Sequence, residues 1–185
     1  MLKRRCLAVF LSLVLIGCSG SEEQQGAREI EPLDIAGVEN VYRISPRIIT
    51  GAEPDGAAGF AELQKLGVKT IVSVTDATPD VEAARKYGIE YVHVPMDYEG
   101  VSPGQREKIL GAATEASGPV YIHCNSGRNR GATAAAICLI GIEGASHEEA
   151  VSWMKTRGVD EEKRELYDSV LGYTPEPATG KQDDR

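Results

Sequence analysis

The chain has 185 residues, of which 42% are hydrophobic and 26% are charged. These values are ordinary for a globular protein and allow one domain with a sizeable core. The formal net charge of −8 argues against nucleic acid as a partner, because phosphate backbones are bound by clusters of Lys and Arg.

The first residues have the pattern of a targeting segment. A positive stretch at residues 3–5 precedes an apolar run at residues 7–16, which is too short to span a bilayer but typical of a signal peptide. The run ends in Leu-Ile-Gly-Cys at Cys18, which resembles the lipobox of bacterial lipoproteins. That resemblance implies removal of residues 1–17 and lipidation of Cys18. The domain would then be exported and lipid-anchored to the bacterial cell envelope, in the periplasm or the extracellular space. An ordinary secretory peptide is the alternative.

The cysteines do not suggest a disulfide framework. Cys6 would leave with the signal and Cys18 would be lipidated, so only Cys124 and Cys138 would remain in the domain. Cys138 lies in an apolar stretch and is predicted to be a small buried hydrophobic residue.

The composition divides the rest of the chain into three parts. Residues 18–37 are polar, acidic and without periodicity, which predicts a flexible tether. Residues 38–172 are predicted to form the folded domain, and the Pro-rich, polar residues 173–185 are predicted to be a disordered tail. The sequence has no internal repeat.

Strand-like and helix-like stretches alternate through the domain. This predicts an α/β fold with a central, mostly parallel sheet of about four to five strands and helices on both faces. Active sites in such folds lie at the carboxyl ends of the strands, so the loops with Cys124 and Asp97 are expected at one rim. The predicted strands are 41–44, 48–50, 69–74, 90–94 and 120–123. The predicted helices are one that ends near Leu66, those at 79–87, 103–116 and 131–142, one that begins at Ser146, and one at 160–171.

The polar loop that follows the strand at 120–123 is the most informative segment. A strand, a short loop and a helix N-terminus form an anion site, because unpaired backbone N–H groups converge there. Such a site favours the thiolate of Cys124, which is the reactive form of cysteine. Arg130 can bind two phosphate oxygens, and Gly127 permits a sharp turn. These residues predict attack of sulfur on phosphorus and a cysteinyl-phosphate intermediate, without a metal or other cofactor.

The pattern His-Cys-x-x-Gly-x-x-Arg at residues 123–130 resembles the phosphate loop of the cysteine-dependent protein tyrosine phosphatase superfamily. Residues 40–160 resemble its dual-specificity branch, in particular the compact bacterial members. The resemblance implies hydrolysis of phosphomonoesters. It implies that Cys124 is the nucleophile, that Arg130 binds the phosphoryl group, that His123 supports the loop, and that the backbone N–H groups of Asn125, Ser126, Gly127, Arg128 and Asn129 bind phosphate.

Members of this superfamily protonate the leaving oxygen with an aspartate on a separate loop. Asp97 is the favoured candidate, since it follows a strand and a proline and lies 27 residues before Cys124. Glu99 and Asp76 are the alternatives. The Arg128 side chain is interpreted as solvated rather than as a second phosphate clamp.

Gly131 departs from the superfamily pattern, which usually has Ser or Thr directly after the arginine. That hydroxyl is thought to stabilise the thiolate and to help the thiophosphate break down. Its absence therefore bears on turnover more than on phosphate binding, unless Ser126 or Thr133 supplies a substitute.

Gly131 keeps a second hypothesis open, in which the domain is a weakly active or inactive pseudophosphatase that binds phosphorylated partners on the cell envelope. A sulfur-transfer or arsenate-reducing enzyme with a similar loop is a third hypothesis. The expected partners are a phosphorylated protein or small phosphomonoester and a membrane reached through the N-terminal lipid. The chain is expected to be a monomer that does not bind nucleic acid.

Overall fold

The computed structural model describes residues 30–175 of the chain. Four predictions lie partly or wholly outside these residues. They are the signal peptide at 1–17, the lipidation of Cys18, the first part of the tether, and the tail beyond residue 175.

Six strands form one sheet within the described residues, in the order β1-β2-β3-β6-β4-β5. The strands are β1 (Glu31–Ile35), β2 (Val38–Arg43), β3 (Ile48–Gly51), β4 (Thr70–Ser73), β5 (Glu90–His93) and β6 (Val120–His123). β3, β6, β4 and β5 are parallel, whereas β1 and β2 add an antiparallel edge. The predicted α/β fold with a mostly parallel sheet is confirmed, and the sheet is slightly wider than expected.

The first strand lies where a flexible tether was expected. β1 at residues 31–35 pairs with β2 through a turn at Gly37, whose φ is +73°. Leu33 and Ile35 are half-buried against one side of the core, while Asp34 between them is exposed. This short edge strand has only two inward apolar residues, so its pattern is weak in the sequence. The domain therefore begins before the predicted boundary at Val38.

The C-terminal end of the domain also differs in detail from the sequence prediction. The last helix begins at Arg164 rather than at Asp160, because the Asp160 carbonyl accepts a hydrogen bond from the Lys163 N–H in a separate turn. Tyr173 is buried, so the packed domain continues beyond the predicted boundary at residue 172.

Helices cover both faces of the sheet, as predicted. Phe60 and Leu63 pack on one face and Ile109 and Trp153 on the other. Adjacent strand residues face opposite clusters, as the alternation of side chains along a strand requires. Within residues 30–175 no helix has the length and apolarity needed to cross a membrane. The helices are α1 (Gly56–Lys65) and α2 (Val81–Arg85) on the first face, and α3 (Pro103–Glu115), α4 (Arg130–Glu143), α5 (His147–Thr156) and α6 (Arg164–Leu171) on the second.

Local sequence signals explain where several helices begin. Ser102 and Ser146 each form a capping box with the residue three positions later, at the starts of α3 and α5. α4 is buried from Arg130 to Ile140, which confirms the prediction of a buried apolar helix. The Trp153 indole donates to the Ala132 carbonyl at 3.0 Å and fixes α5 against the first turn of α4.

The loops that follow the parallel strands meet at one edge of the sheet. The Val74 N–H donates to the His123 carbonyl at 2.9 Å, and the Met96 N–H donates to the Val74 carbonyl at 3.3 Å. The loops after β4, β5 and β6 are therefore neighbours. This confirms that the Cys124 and Asp97 loops share a rim.

Two helical glycines give a matched test of the packing. A Cβ on Gly59 in α1 would lie 2.7 Å from the Gly37 carbonyl oxygen, whereas a Cβ on Gly111 in α3 would meet open space. We expect Gly59→Ala to lower the free energy of unfolding by about 1–3 kcal/mol through overpacking. We expect Gly111→Ala to raise it by about 0.5–1 kcal/mol through helix propensity. Chemical denaturation measures both changes, and a stabilised Gly59→Ala protein would contradict the tight contact between α1 and the β1–β2 turn.

Candidate active site

The loop between β6 and α4 is held in place through its carbonyl oxygens. Three consecutive carbonyls accept hydrogen bonds from groups on other elements, so these oxygens are directed away from the centre of the loop. The Asn125 carbonyl accepts from the Glu53 N–H at 3.2 Å, the Ser126 carbonyl from Asn40 Nδ2 at 3.0 Å, and the Gly127 carbonyl from Arg157 Nη2 at 3.4 Å.

The N–H groups of the same loop have no such partners. Across the described part of the chain, no protein group accepts a hydrogen bond from the backbone N–H groups of residues 125–129. α4 begins at Arg130, so its first turn adds further unpaired N–H groups and the positive end of the helix dipole. Free amides that converge at a helix N-terminus form a site for an anion.

Gly127 is the residue that makes this loop conformation possible. Its φ is +68°, a left-handed value that favours glycine. A Cβ at this position would also overlap the carbonyl group of Gly51 at the end of β3. The predicted turn at Gly127 is therefore present. Both the positive φ and the close approach of the loop to β3 require glycine at this position.

Cys124 lies at the foot of the loop and is 3% exposed. A Cβ on Gly131 would lie 3.1 Å from the Cys124 backbone nitrogen and 3.5 Å from its Sγ, so residue 131 is in direct contact with the thiol. Gly131 places no hydroxyl there. The Thr133 hydroxyl donates to the Asn129 carbonyl at 3.1 Å, which commits it to the helix backbone, and Ser126 is exposed.

Arg130 is a buried cation that connects three loops. Its Nη1 donates to the Met96 carbonyl and to Asp76 Oδ1, both at 3.0 Å. Its Nη2 donates to Asn125 Oδ1 at 3.3 Å, and the guanidinium lies 5.1 Å from the centre of the Tyr98 ring. Nε is buried without a partner among the described residues. These contacts fix the guanidinium at the edge of the loop.

Asp76, one of the alternatives for the general acid, is the carboxylate that pairs with Arg130. The hydrogen bond and charge of Arg130 hold the pKa of Asp76 below its usual value. Asp76 is therefore harder to protonate than an ordinary aspartate, which disfavours it as the general acid. The neighbouring Thr75 hydroxyl donates a short hydrogen bond to Asn125 Oδ1, so this loop holds both the arginine and the start of the phosphate loop.

Asp97 is exposed, and it is flanked on both sides by residues that contact the arginine. Met96 provides a carbonyl to Arg130 and Tyr98 lies beside its guanidinium. Asp97 Oδ1 accepts the Glu99 N–H at 2.8 Å, which stabilises a turn at this point. The structure therefore brings the Asp97 loop to the phosphate loop, and the exposed carboxylate of Asp97 can meet a substrate there.

His123 supports the loop as a neutral ring. Burial lowers the pKa of His123 to about 4, and burial raises the pKa of Tyr91, so the Tyr91 hydroxyl is a donor. It lies 2.5 Å from His123 Nε2, which leaves Nδ1–H to donate to the Cys124 carbonyl at 3.4 Å. His123 therefore holds the backbone, as predicted, but it carries no positive charge to favour the thiolate.

The remaining loop residues have separate roles. Arg128 is exposed, which agrees with its interpretation as a solvated side chain. Asn129 accepts the Asp160 N–H on its Oδ1 at 3.1 Å, which ties the start of α4 to the segment before α6. Among residues 30–175, His, Cys, Asp and Glu side chains do not form a group that could hold a metal ion.

Four residues of the site were not singled out from the sequence. They are Asn40, Thr75, Tyr98 and Arg157. Asn40 is the one with an unusual backbone, since its φ is +54°. The sequence has no pattern that predicts this angle or the contacts of the other three residues.

A buried cysteine beside free loop amides, with an arginine at the start of the next helix, defines an active site of the phosphatase class. The chain matches the family model "Dual specificity phosphatase, catalytic domain" over residues 48–166. It belongs to that family.

Relatives and solved structures agree with this assignment. The chain is 32% identical over 125 residues to the dual specificity protein phosphatase TpbA of Pseudomonas aeruginosa, covering 66% of this chain and 56% of that protein. It therefore spans little more than half of that relative. It is 34% identical over 114 residues to protein tyrosine phosphatase type IVA 2 of Mus musculus, covering 57% of this chain and 68% of that one. The crystal structure of P. aeruginosa TpbA superimposes with a TM-score of 0.64 at 28% identity, covering 81% and 92% of the two chains.

The ion pair between Asp76 and Arg130 gives a prediction about anion affinity. Asp76→Asn removes a negative charge beside the phosphate site while keeping the shape of the side chain. We expect inorganic phosphate to bind a few-fold more tightly, because the carboxylate no longer competes for the guanidinium. Calorimetric titration measures the dissociation constant. Glu82→Gln, which breaks a surface ion pair with Arg85, is the control. Weaker phosphate binding by Asp76→Asn would show instead that the carboxylate orients Arg130 for the anion.

Proposed function

We propose that this chain hydrolyses phosphomonoesters through a cysteinyl-phosphate intermediate. The observation that supports this most strongly is the loop at residues 124–130, whose amides are free while its carbonyls are bound from outside. Free amides of this kind would bind the three non-bridging oxygens of a phosphoryl group next to the Cys124 thiol. Membership in the dual specificity phosphatase family supports the same reaction.

In the first step the Cys124 thiolate attacks phosphorus in line with the ester oxygen. The S–P bond forms, the P–O ester bond breaks, and Asp97 gives its proton to the departing oxygen. In the second step water gives a proton to the Asp97 carboxylate and attacks phosphorus, the S–P bond breaks, and inorganic phosphate leaves as the thiolate is restored. Asp97 is proposed for the proton transfer because its loop is held against Arg130 and because the pair with Arg130 lowers the pKa of the alternative, Asp76.

The rate enhancement comes mainly from charges fixed in advance. The loop amides and Arg130 bind the equatorial oxygens, whose charge is spread in the transition state of phosphoryl transfer. Arg130 has little freedom to reorient, since Met96, Asp76 and Asn125 all accept its hydrogen bonds. The donors therefore need little reorganisation when the phosphoryl group moves.

The proposed substrates are phosphotyrosine-containing proteins or small phosphomonoesters. TpbA has been crystallised in complex with phosphotyrosine, and that structure superimposes on this chain with a TM-score of 0.63 at 28% identity. The lack of a hydroxyl at Gly131, in contact with Cys124, leads us to propose slow breakdown of the thiophosphate rather than weak phosphate binding.

Two substitutions test the proposed chemistry in the full-length chain. Cys124→Ser is expected to abolish hydrolysis of p-nitrophenyl phosphate. Asp97→Asn is expected to lower kcat/KM, which reports the first step, for an alkyl phosphate by about 100-fold, the scale of general acid catalysis. The loss should be smaller for p-nitrophenyl phosphate, whose leaving group needs no proton. The basic limb of the pH profile of kcat/KM should disappear with Asp97.

Glu99→Gln is the matched control for the acid and should retain the wild-type profile. Equal losses of kcat/KM on both substrates in Asp97→Asn would exclude Asp97 as the acid. A wild-type rate no greater than that of Cys124→Ser would instead support the pseudophosphatase alternative.

We also propose that the chain is exported and anchored to the cell envelope through a lipid on Cys18. The support is the positive stretch at residues 3–5, the apolar run at residues 7–16, and the Leu-Ile-Gly-Cys sequence. An acylated N-terminus would hold the phosphatase domain close to a membrane surface, because only about a dozen residues separate Cys18 from the start of β1 at Glu31.

Replacement of the modified cysteine tests this anchor. In a bacterial host, Cys18→Ser is expected to move the protein from the membrane fraction to the soluble exported fraction, because no thiol remains to be lipidated. Cys6→Ser, a change within the segment to be cleaved, should leave the protein in the membrane fraction. Cys18→Ser protein that remains with the membrane would contradict the lipid anchor.

A further inference from the structure

Arg157, at the C-terminal end of α5, is a buried cation behind the phosphate loop. Its side chain is 7% exposed, and its Nε is buried without a partner among residues 30–175. Within the same residues none of the ion pairs includes Arg157. Burial of a guanidinium away from a carboxylate is costly, so the surroundings must favour the charge in another way.

Part of the compensation comes from neutral groups. Nη2 donates to the Asn40 carbonyl at 3.3 Å and to the Gly127 carbonyl at 3.4 Å. The guanidinium lies 3.9 Å from the centre of the Tyr42 ring and 5.6 Å from that of Trp153, which are cation–π distances. These contacts fix the guanidinium directly behind Gly127, on the side of the loop opposite to its free amides.

These contacts do not supply an anion, and burial still lowers the pKa of Arg157. The charged and titratable groups that act on it are Tyr42 on β2, Arg128 in the loop and Cys124. Of these, Arg128 is a second cation that opposes the charge, while the thiolate of Cys124 favours it. The arrangement has an excess of positive charge, which a phosphate dianion in the loop would balance.

We propose that Arg157 is a positioning residue of the phosphate site, which holds the Gly127 carbonyl outward and adds positive charge behind the loop that strengthens phosphate binding. This inference rests on the proposed function, because it assumes that the loop binds a phosphoryl group. It adds a residue that touches the loop backbone and not the substrate. A hydrogen bond to the Gly127 carbonyl could come from a neutral donor. The buried charge is what distinguishes arginine here.

The test compares two variants of the full-length chain. Arg157→Gln keeps a hydrogen-bond donor but removes the charge, and Arg157→Lys keeps the charge. Inorganic phosphate is the ligand, and its dissociation constant is measured from the protection of Cys124 against iodoacetamide. Mass spectrometry of the Cys124 peptide separates this thiol from the other cysteines, and thermal melting shows that each variant is folded.

We expect Arg157→Gln to bind phosphate about tenfold more weakly and Arg157→Lys to stay within about threefold of wild type, the effect of one nearby charge. Arg47→Gln is the matched control, since Arg47 also donates to two carbonyls, those of Ala113 and Thr114, but at the end of α3. It should leave phosphate binding unchanged even if the melting temperature falls.

Wild-type phosphate affinity in folded Arg157→Gln would overturn the inference, and so would an equal loss in Arg157→Lys and Arg157→Gln. If Arg157→Gln does not melt cooperatively, Tyr42→Leu, which removes the ring beside the guanidinium, should weaken phosphate binding about threefold. Unchanged affinity in Tyr42→Leu would then overturn it. The readout needs no turnover, so a wild-type chain that binds phosphate without hydrolysis would refute the proposed reaction and still decide the role of Arg157.

Discussion

A peptide chain that binds an anion through its amides must place its carbonyl oxygens elsewhere, because every residue carries both groups. Here that requirement is met by donors from distant parts of the domain. Asn40 from β2, the N–H of Glu53 after β3, and Arg157 at the end of α5 each bind one carbonyl of the loop. The sheet edge and α5 are therefore part of the anion site, although none of their side chains needs to touch the substrate.

The same edge of the sheet also positions the charged groups around the Cys124 thiol. Arg130 is held between the loops after β4 and β5 by Asp76 and the Met96 carbonyl, while His123 beneath the thiol is neutral. Positive charge is thus concentrated at Arg130, at Arg157 and at the start of α4, and not at His123. Asp76 balances Arg130 at the exposed edge, whereas within residues 30–175 no carboxylate forms an ion pair with Arg157.

Local patterns in the sequence were enough to predict the fold class and the positions of Cys124 and Arg130. A β-branched strand, a glycine-containing loop and an apolar helix follow one another there, and each has a signature within a few residues. The contacts that hold the loop could not be predicted in this way, since Asn40 and Ser126 are 86 residues apart in the chain. The sequence does not indicate β1, because a short edge strand with one solvated face has too few apolar residues. Nor does it pair Asp76 with Arg130, because the two are 54 residues apart in the chain.

The packing of α4 has a consequence for the response of the domain to oxidants. Cys138 is free and fully buried in this helix, and burial raises the pKa of its thiol to about 12. It lies seven residues beyond Gly131, the residue next to the Cys124 thiol, which is a rise of about 10 Å along the helix. A disulfide needs Cα atoms within about 7 Å of each other. Within residues 30–175 no other thiol exists, so a sulfenic acid formed on Cys124 has no resolving cysteine in the folded domain. Its recovery would depend on a thiol from outside, and further oxidant would otherwise carry the residue to the irreversible sulfinic and sulfonic acids.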